Sequence, residues 1–267
     1  ALISTLERAA GSGETQSPLF AARPGIWDKG AAVRVKLVTG ALSSVTQKAL
    51  LSGANVAAIG DGSTDRWEVF QFQDAVLVGP DIYDLSLRLR GLRGSDALMP
   101  EDWPVGSTFV LLDGALQQID IAPSLRNISR NYRIGPAQRS VDAPSYVRLS
   151  EAFSGNGLRP FAPVHLRANW TENGALSLEW IRRTRIEGEG WEVEAPLGEA
   201  FEAYRIRVFD SESALVRESD VTAPAFLYTA SQMAADGVGG AFHIDVAQVS
   251  ELYGPGPFRR VSVAAPA

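Results

Sequence analysis

Short runs in which apolar and polar side chains alternate recur from one end of this chain to the other. Val33, Val35 and Leu37 are interleaved with Arg34 and Lys36, and Tyr83, Leu85, Leu87 and Leu89 with Asp84, Ser86, Arg88 and Arg90. Farther on, Leu176, Leu178 and Trp180 alternate with Ser177 and Glu179. Tyr204, Ile206 and Val208 alternate with Arg205 and Arg207, and Phe242, Ile244 and Val246 with His243 and Asp245; Val261 and Val263 close the series. Successive side chains of a strand point to opposite faces, so each run should have one buried and one wet face. A solvated face suits antiparallel sheets better than a parallel sheet covered on both sides. The 25 glycines and 15 prolines fall between the runs as turn signals. The expected class is all-β and mainly antiparallel.

Helical periodicity is weak by comparison. Leu2, Ile3, Leu6, Ala9 and Ala10 have helical spacing and predict a short helix over 2–10, stopped by Gly11-Ser12-Gly13. Ala41–Leu51 reads either as a short helix or as a strand. Phe109–Leu112 followed by Asp113-Gly114 reads as a strand entering a hairpin turn, and Asp61-Gly62 is a similar turn signal. The stretch 154–163 is rich in Gly and Pro and lacks periodicity, as linkers do. The expected organisation is a connecting segment with a short helix over 1–19, a β-rich domain over 20–155, and a β-sandwich over 160–265.

Composition excludes several function classes. With 45% hydrophobic and 21% charged residues the chain can bury a core, and its net charge of −6 argues against a nucleic-acid binder working through a basic surface. There is no cysteine, which removes disulfides, thiolate nucleophiles and Cys-based metal sites. His165 and His243 are the only histidines, too few for a three-His zinc site. No run of about 18 apolar residues occurs, so no helical membrane span is expected. Of the 25 basic residues only Lys29, Lys36 and Lys48 are lysines, a bias that GC-rich coding alone would produce. The chain starts at Ala1 without a signal-like segment; processing and descent from a longer chain both fit.

Two resemblances sharpen this reading. In the last hundred residues Pro160 and Pro163 flank the first strand, Trp180 lies on the second, Tyr204 on the third, and Phe242–Gln248 precede Tyr253-Gly254. This order resembles a fibronectin type III domain. It departs from that family at Phe242, which stands where a corner tyrosine is usual and has no hydroxyl, and in a long loop at Ile186–Leu197. Residues 70–95, FQFQDAVLVGPDIYDLSLRLRGLRGS, followed by Gly106–Asp113, Leu158–Leu166 and Leu178–Arg185, are similar to the late region of phage tail-tip hub proteins. Together they resemble the C-terminal part of the baseplate hub family of gene transfer agents, over residues 60–265; the first 55 residues add little to the likeness. The enzymatic region that such hubs carry upstream has no counterpart here.

That resemblance implies a structural, non-enzymatic component of a phage-like tail tip, assembled in the bacterial cytoplasm and released in a particle. It implies homotrimers around the tail axis, contacts with other baseplate and tail proteins, contact with host envelope glycans, and DNA only in transit. The alternative from another class is an accessory carbohydrate- or cell-wall-binding module of a secreted glycoside hydrolase. No catalytic residue, cofactor or metal ligand is assigned.

Several groups carry residue types that catalysis or ligand binding could use. The carboxylate pairs Glu199/Glu202, Glu187/Glu189, Glu101/Asp102 and Glu192/Glu194 read as solvated surface rather than a glycosidase pair. Asp61–Asp65 resembles half a calcium loop but lacks the later bidentate Glu, and reads as a turn. The histidines, without a GxSxG elbow, read as sheet-surface residues. Arg88, Arg90 and Arg93 form one arginine group, Arg126, Arg130, Arg133 and Arg139 a second, and Arg182, Arg183 and Arg185 a third; ion pairing within or between subunits is expected of them, against contact with DNA. Trp180 is expected in the sandwich core. Trp191, with Trp170 as a second candidate, could stack on a sugar, or cap the sandwich or a neighbouring subunit. The interface or structural residues singled out are therefore Arg88, Arg90, Arg93, Trp180 and Trp191.

Overall fold

The computed structural model describes residues 3–186, 188 and 195–264. The chain is all-β, with every strand pair antiparallel. It divides into two compact units, 1–155 and 156–267.

Six strands of the first unit close into a barrel: β1 (Ser12–Thr15), β2 (Val33–Thr39), β3 (Val56–Gly60), β4 (Trp67–Gly79), β5 (Ile82–Leu92) and β6 (Thr108–Leu111). Their order is β5-β2-β1-β6-β3-β4, with β4 pairing back onto β5. The alternation read in β2 is obeyed, with Val33, Val35 and Leu37 buried and their neighbours exposed. Phe70, Phe72 and Phe109 fill the interior with ring centroids 6.3–6.4 Å apart. Full burial of such rings is worth about 1.5–3 kcal/mol each. A one-turn helix α1 (Gln47–Leu51), capped by the Thr46 hydroxyl, buries Leu50; this is all the helix that Ala41–Leu51 contains.

Residues 3–10, the described part of the helix expected over 2–10, are not helical, and residues 12–15 of the expected 1–19 connecting segment form the inner barrel strand β1. Nine residues nucleate a helix poorly in water, and the glycines that read as its stop have another role. A Cβ on Gly13 would sit 2.0 Å from the Lys36 carbonyl oxygen, so only glycine lets β1 lie this close to β2. Asp113-Gly114 also departs from expectation. Asp113 accepts from the Ala115 amide, as in an Asx turn, but the chain does not return beside β6, whose neighbours are β1 and β3. It instead runs into a separate two-stranded ribbon, β7 (Arg130–Ile134) and β8 (Val147–Glu151).

The second unit is a sandwich of seven principal strands: β9 (Val164–Trp170), β10 (Leu176–Ile181), β11 (Tyr204–Phe209), β12 (Leu215–Val221), β13 (Ala225–Tyr228), β14 (Phe242–Ser250) and β15 (Arg259–Val263). The first, second and fifth form one sheet; the fourth, third, sixth and seventh form the other. This is a fibronectin type III-like arrangement. The inner faces carry the alternating residues read from sequence, among them Leu176, Leu178, Ile206, Val208, Ile244 and Val246, all fully buried. The Gly/Pro stretch at 154–163 is a linker only in its first part. Pro160, Ala162 and Pro163 are buried, and a Cβ on Gly256 would meet the Pro160 carbonyl oxygen at 2.3 Å.

Candidate functional site

Arg88 and Arg90 do not lie on the wet face of β5. Leu87 takes a left-handed backbone (φ 50°), and sidedness changes there: Leu85 is buried before it, Arg88 and Arg90 after it. In register, Phe72 lies opposite Arg88, so both arginines face the barrel interior with the phenylalanines. Each finds carboxylates from distant parts of the chain. Arg90 Nε and Nη2 donate to Glu68 Oε1 and Oε2 at 2.6 and 2.8 Å, and Nη1 donates to the Phe20 carbonyl at 2.8 Å and to Asp28 at 3.3 Å. Arg88 Nε donates to Asp28 at 2.9 Å, and its Nη1 to the Leu85 carbonyl at 2.7 Å. Trp103 Nε1 and the Gly91 amide complete the shell around Glu68 at 2.8 and 3.1 Å.

Two guanidinium groups and two carboxylates are thereby neutralised inside the barrel, with Arg90 and Glu68 wholly inaccessible. A buried charge is tolerated only when paired and hydrogen-bonded. Burial alone would raise the Asp28 pKa; the hydrogen bonds from Arg88 and the Gly30 amide and the charges of Arg88 and Arg90 outweigh it and hold the group below its usual value. Arg93 does not join this cluster: it is exposed, with φ 56°. The cluster's acidic half, Asp28 and Glu68, was not anticipated. Its only sequence signal is charge embedded in apolar strands, in Trp27-Asp28 and in Glu68 ahead of Val69-Phe70.

Trp180 lies in the sandwich core, edge-on to Tyr204 at 5.1 Å. Trp191, Glu187, Glu189, Glu192 and Glu194 lie outside the described residues. Trp170 packs on the core against Phe242 at 6.5 Å. Glu199 and Glu202 are no solvated pair: Glu199, 6% exposed, accepts from Arg185 at 2.8 Å, and Glu202 accepts from the Tyr204 hydroxyl at 2.6 Å. Arg182 donates to the carbonyls of Ala195 and Pro196, and Arg183 lies over the Phe161 ring. At Asp61–Asp65 the Asp61 carboxylate accepts from the Ser63 amide at 3.0 Å and lies 3.4 Å from Arg66, an Asx turn joining β3 and β4. His165 is exposed at a bulge (φ 54°), and His243 stacks on Phe209 at 4.9 Å.

The hydroxyl that Phe242 lacks is supplied from elsewhere. Tyr228, at the end of β13, donates to Asp236 at 2.6 Å; Arg217 on β12 grips the same carboxylate at 2.6 and 2.9 Å. Asp236 ends the helix α2 (Ala230–Ala235), whose Thr229–Gln232 capping box fixes its start. The corner between the fifth and sixth sandwich strands is therefore pinned by an acid on a helix.

Among the described residues no group of three or more Asp, Glu or His could hold a metal, and no helix is long and apolar enough to cross a membrane. What the chain offers outward is surface, including exposed apolar side chains at Ile134, Val147 and Leu149 of the β7–β8 ribbon and at Val76, Leu77 and Val78 of β4.

Residues 10–110 match the family model described as Rcc01698-like, C-terminal. That span covers the barrel from just before β1 to the last but one residue of β6, including the segment before residue 60 that added little to the sequence resemblance. No curated protein matches the chain. Solved structures that resemble it include the rat CD45 extracellular region, domains d3-d4 (8% identity, 58% of this chain and 72% of that one, TM-score 0.31). Others are the FN5 domain of Drosophila Lar (18%, 40% and 98%, TM-score 0.27) and the chicken CNTN1 FN1-FN3 domains (13%, 94% and 66%, TM-score 0.29).

Proposed function

We propose that this chain is a structural, non-enzymatic component of a phage-like tail tip, of the kind found in gene transfer agent baseplates. It would close the tail tube and contribute to envelope attachment and DNA ejection through the surfaces of its sheet modules. One coincidence carries the reading. The ordered motifs in 70–95 and 106–113 that resemble tail-tip hubs lie almost wholly within the span matched by the Rcc01698-like family, and that span is one barrel. The buried charges of the barrel are consistent with it, since Arg88 and Arg90 are spent on internal pairing and fix the module's shape. The partners are further copies of the chain, as a homotrimer, with other baseplate proteins; envelope glycans are contacted from outside and DNA passes in transit.

Cryo-electron microscopy of particles from cells carrying a tagged copy tests this. Density for both β modules in a ring at the tail tip is the expected result. Particles without the chain, or turnover of a glycan by the purified chain, would overturn it.

A further inference from the structure

The β7–β8 ribbon has one apolar face. Its register sets Tyr132 opposite Leu149 and Ile134 opposite Val147 on one side, and Arg133 opposite Arg148 on the other. Tyr132 is covered, edge-on to Phe153 at 6.1 Å, but Ile134 is 59% and Val147 64% exposed. Among the described residues no third strand pairs with either edge. A two-stranded ribbon with an uncovered apolar face is marginal in water by itself. It is also basic: between residues 121 and 151 stand Arg126, Arg130, Arg133, Arg139 and Arg148 against Asp142 and Glu151, the latter opposite Arg130, leaving 20 basic and 29 acidic residues for the rest of the chain. Arg133 facing Arg148 is a like-charge pair across the ladder, unfavourable unless acidic groups approach; Asp142 reaches only Arg133.

The same unit bears a complementary surface. The far end of β4 overhangs its β3 neighbour, while β5 beside it stays paired with β2 over Ile82–Leu85. Strand β3 pairs with β4 only between Trp67 and Gln71, and Ser44 and Val45 cover Gln73 and Ala75. Beyond them Val76, Leu77 and Val78 are 55%, 61% and 47% exposed in succession. Consecutive apolar residues on an open edge mark a pairing site. Residues 74–84 hold Asp74, Asp81 and Asp84 and no basic residue. Asp84 is taken by Arg34, whereas Asp74 and Asp81 form no ion pair among the described residues.

We infer that the β7–β8 ribbon of one copy docks on the β4 overhang of a second copy. Ribbon against ribbon would bring two arginine sets together, and overhang against overhang two carboxylate sets; charge selects the mixed pairing. Such a contact is head-to-tail, so it closes rings or extends into filaments. This deepens the proposed function and rests on its reading that the chain works by self-assembly.

The test is sedimentation of the 267-residue chain. The variants are Ile134→Asp with Val147→Asp on the ribbon, and Leu77→Asp on the overhang. Each should weaken self-association by about 30-fold or more, the scale of a hot-spot residue, with unchanged β circular dichroism because all three residues are exposed. The deciding step is mixing the two monomeric variants. A head-to-tail contact leaves one intact ribbon and one intact overhang, so the mixture should form a 1:1 dimer and stop there. No dimer in the mixture, wild-type association in either variant, or a monomeric wild type that instead sediments with phosphatidylethanolamine–phosphatidylglycerol vesicles would overturn the inference. None of these outcomes bears on whether the chain occupies the tail tip, which imaging of particles reads separately.

Discussion

Replacing Arg90 by Met keeps the length of the side chain and removes its charge, and the structure gives the consequence a size. Arg90 makes two fully buried bonds to Glu68, and partly buried ones to the Phe20 carbonyl and, at longer range, to Asp28. Without it Glu68 keeps only the Trp103 indole and the Gly91 amide. Removing one partner of a buried pair strands the other and costs about 3–5 kcal/mol. At a urea dependence of about 2 kcal/mol per M, a loss of about 4 kcal/mol lowers the midpoint by about 2 M. Urea unfolding followed by residue-resolved hydrogen exchange is the assay, with barrel amides as the readout and sandwich amides as the internal reference. Arg90→Lys, which retains the charge but loses the bidentate fork, should fall between wild type and Arg90→Met. Glu68→Gln should also destabilise, and the double variant should recover about 2 kcal/mol relative to the summed singles, since neither charge is then left alone. Exposed Arg93→Ala should stay within about 0.5 kcal/mol of wild type. Strict additivity of the singles, or an Arg90→Met effect below about 1 kcal/mol, would refute the account of a coupled buried cluster.

Three further outcomes follow from the same geometry. Gly13→Ala places a Cβ 2.0 Å from the Lys36 carbonyl and 2.7 Å from the Leu37 Cα; it should cost about 3 kcal/mol or more by forcing β1 from β2, read as lost barrel protection in hydrogen exchange. The depressed pKa of Asp28 means that its contribution is present above the ordinary value of 3.8 and is lost as pH falls through the lower folded value. The urea midpoint of the barrel should therefore fall more steeply below about pH 4 in wild type than in Asp28→Asn. Asp236→Ala removes the acceptor shared by Tyr228 and Arg217 and should cost the sandwich about 1–2 kcal/mol, discounted for partial exposure, with barrel amides unchanged.

How far alternation could be read depended on what settled burial at each strand. In β2 and throughout the inner faces of the sandwich, burial follows hydrophobicity, and Val33, Val35, Leu176, Leu178, Ile206 and Ile244 lie where period-two spacing puts them. In β5 the code holds to Leu85 and then fails, because the competing term is non-local. Arg90 is inside since Glu68, 22 residues earlier, and Asp28, 62 earlier, are inside with it. No window of neighbouring residues contains that pairing, and the positive φ of Leu87 that accommodates it falls on a residue with no special preference for it. The N-terminal error has the same origin: Gly13 reads as a helix stop locally, yet it is glycine because Lys36 lies against it. The ribbon is the opposite case. Tyr132 and Ile134 alternate with Asn131 and Arg133, and Val147 and Leu149 with Arg148, a period-two signal that is short and dense in arginine. An amphipathic ribbon whose apolar face is covered at Tyr132 but open at Ile134 and Val147 is consistent locally and incomplete as a fold. Natural sequences favour agreement between the two levels, and the proposed docking of a second copy would restore it by covering Ile134 and Val147.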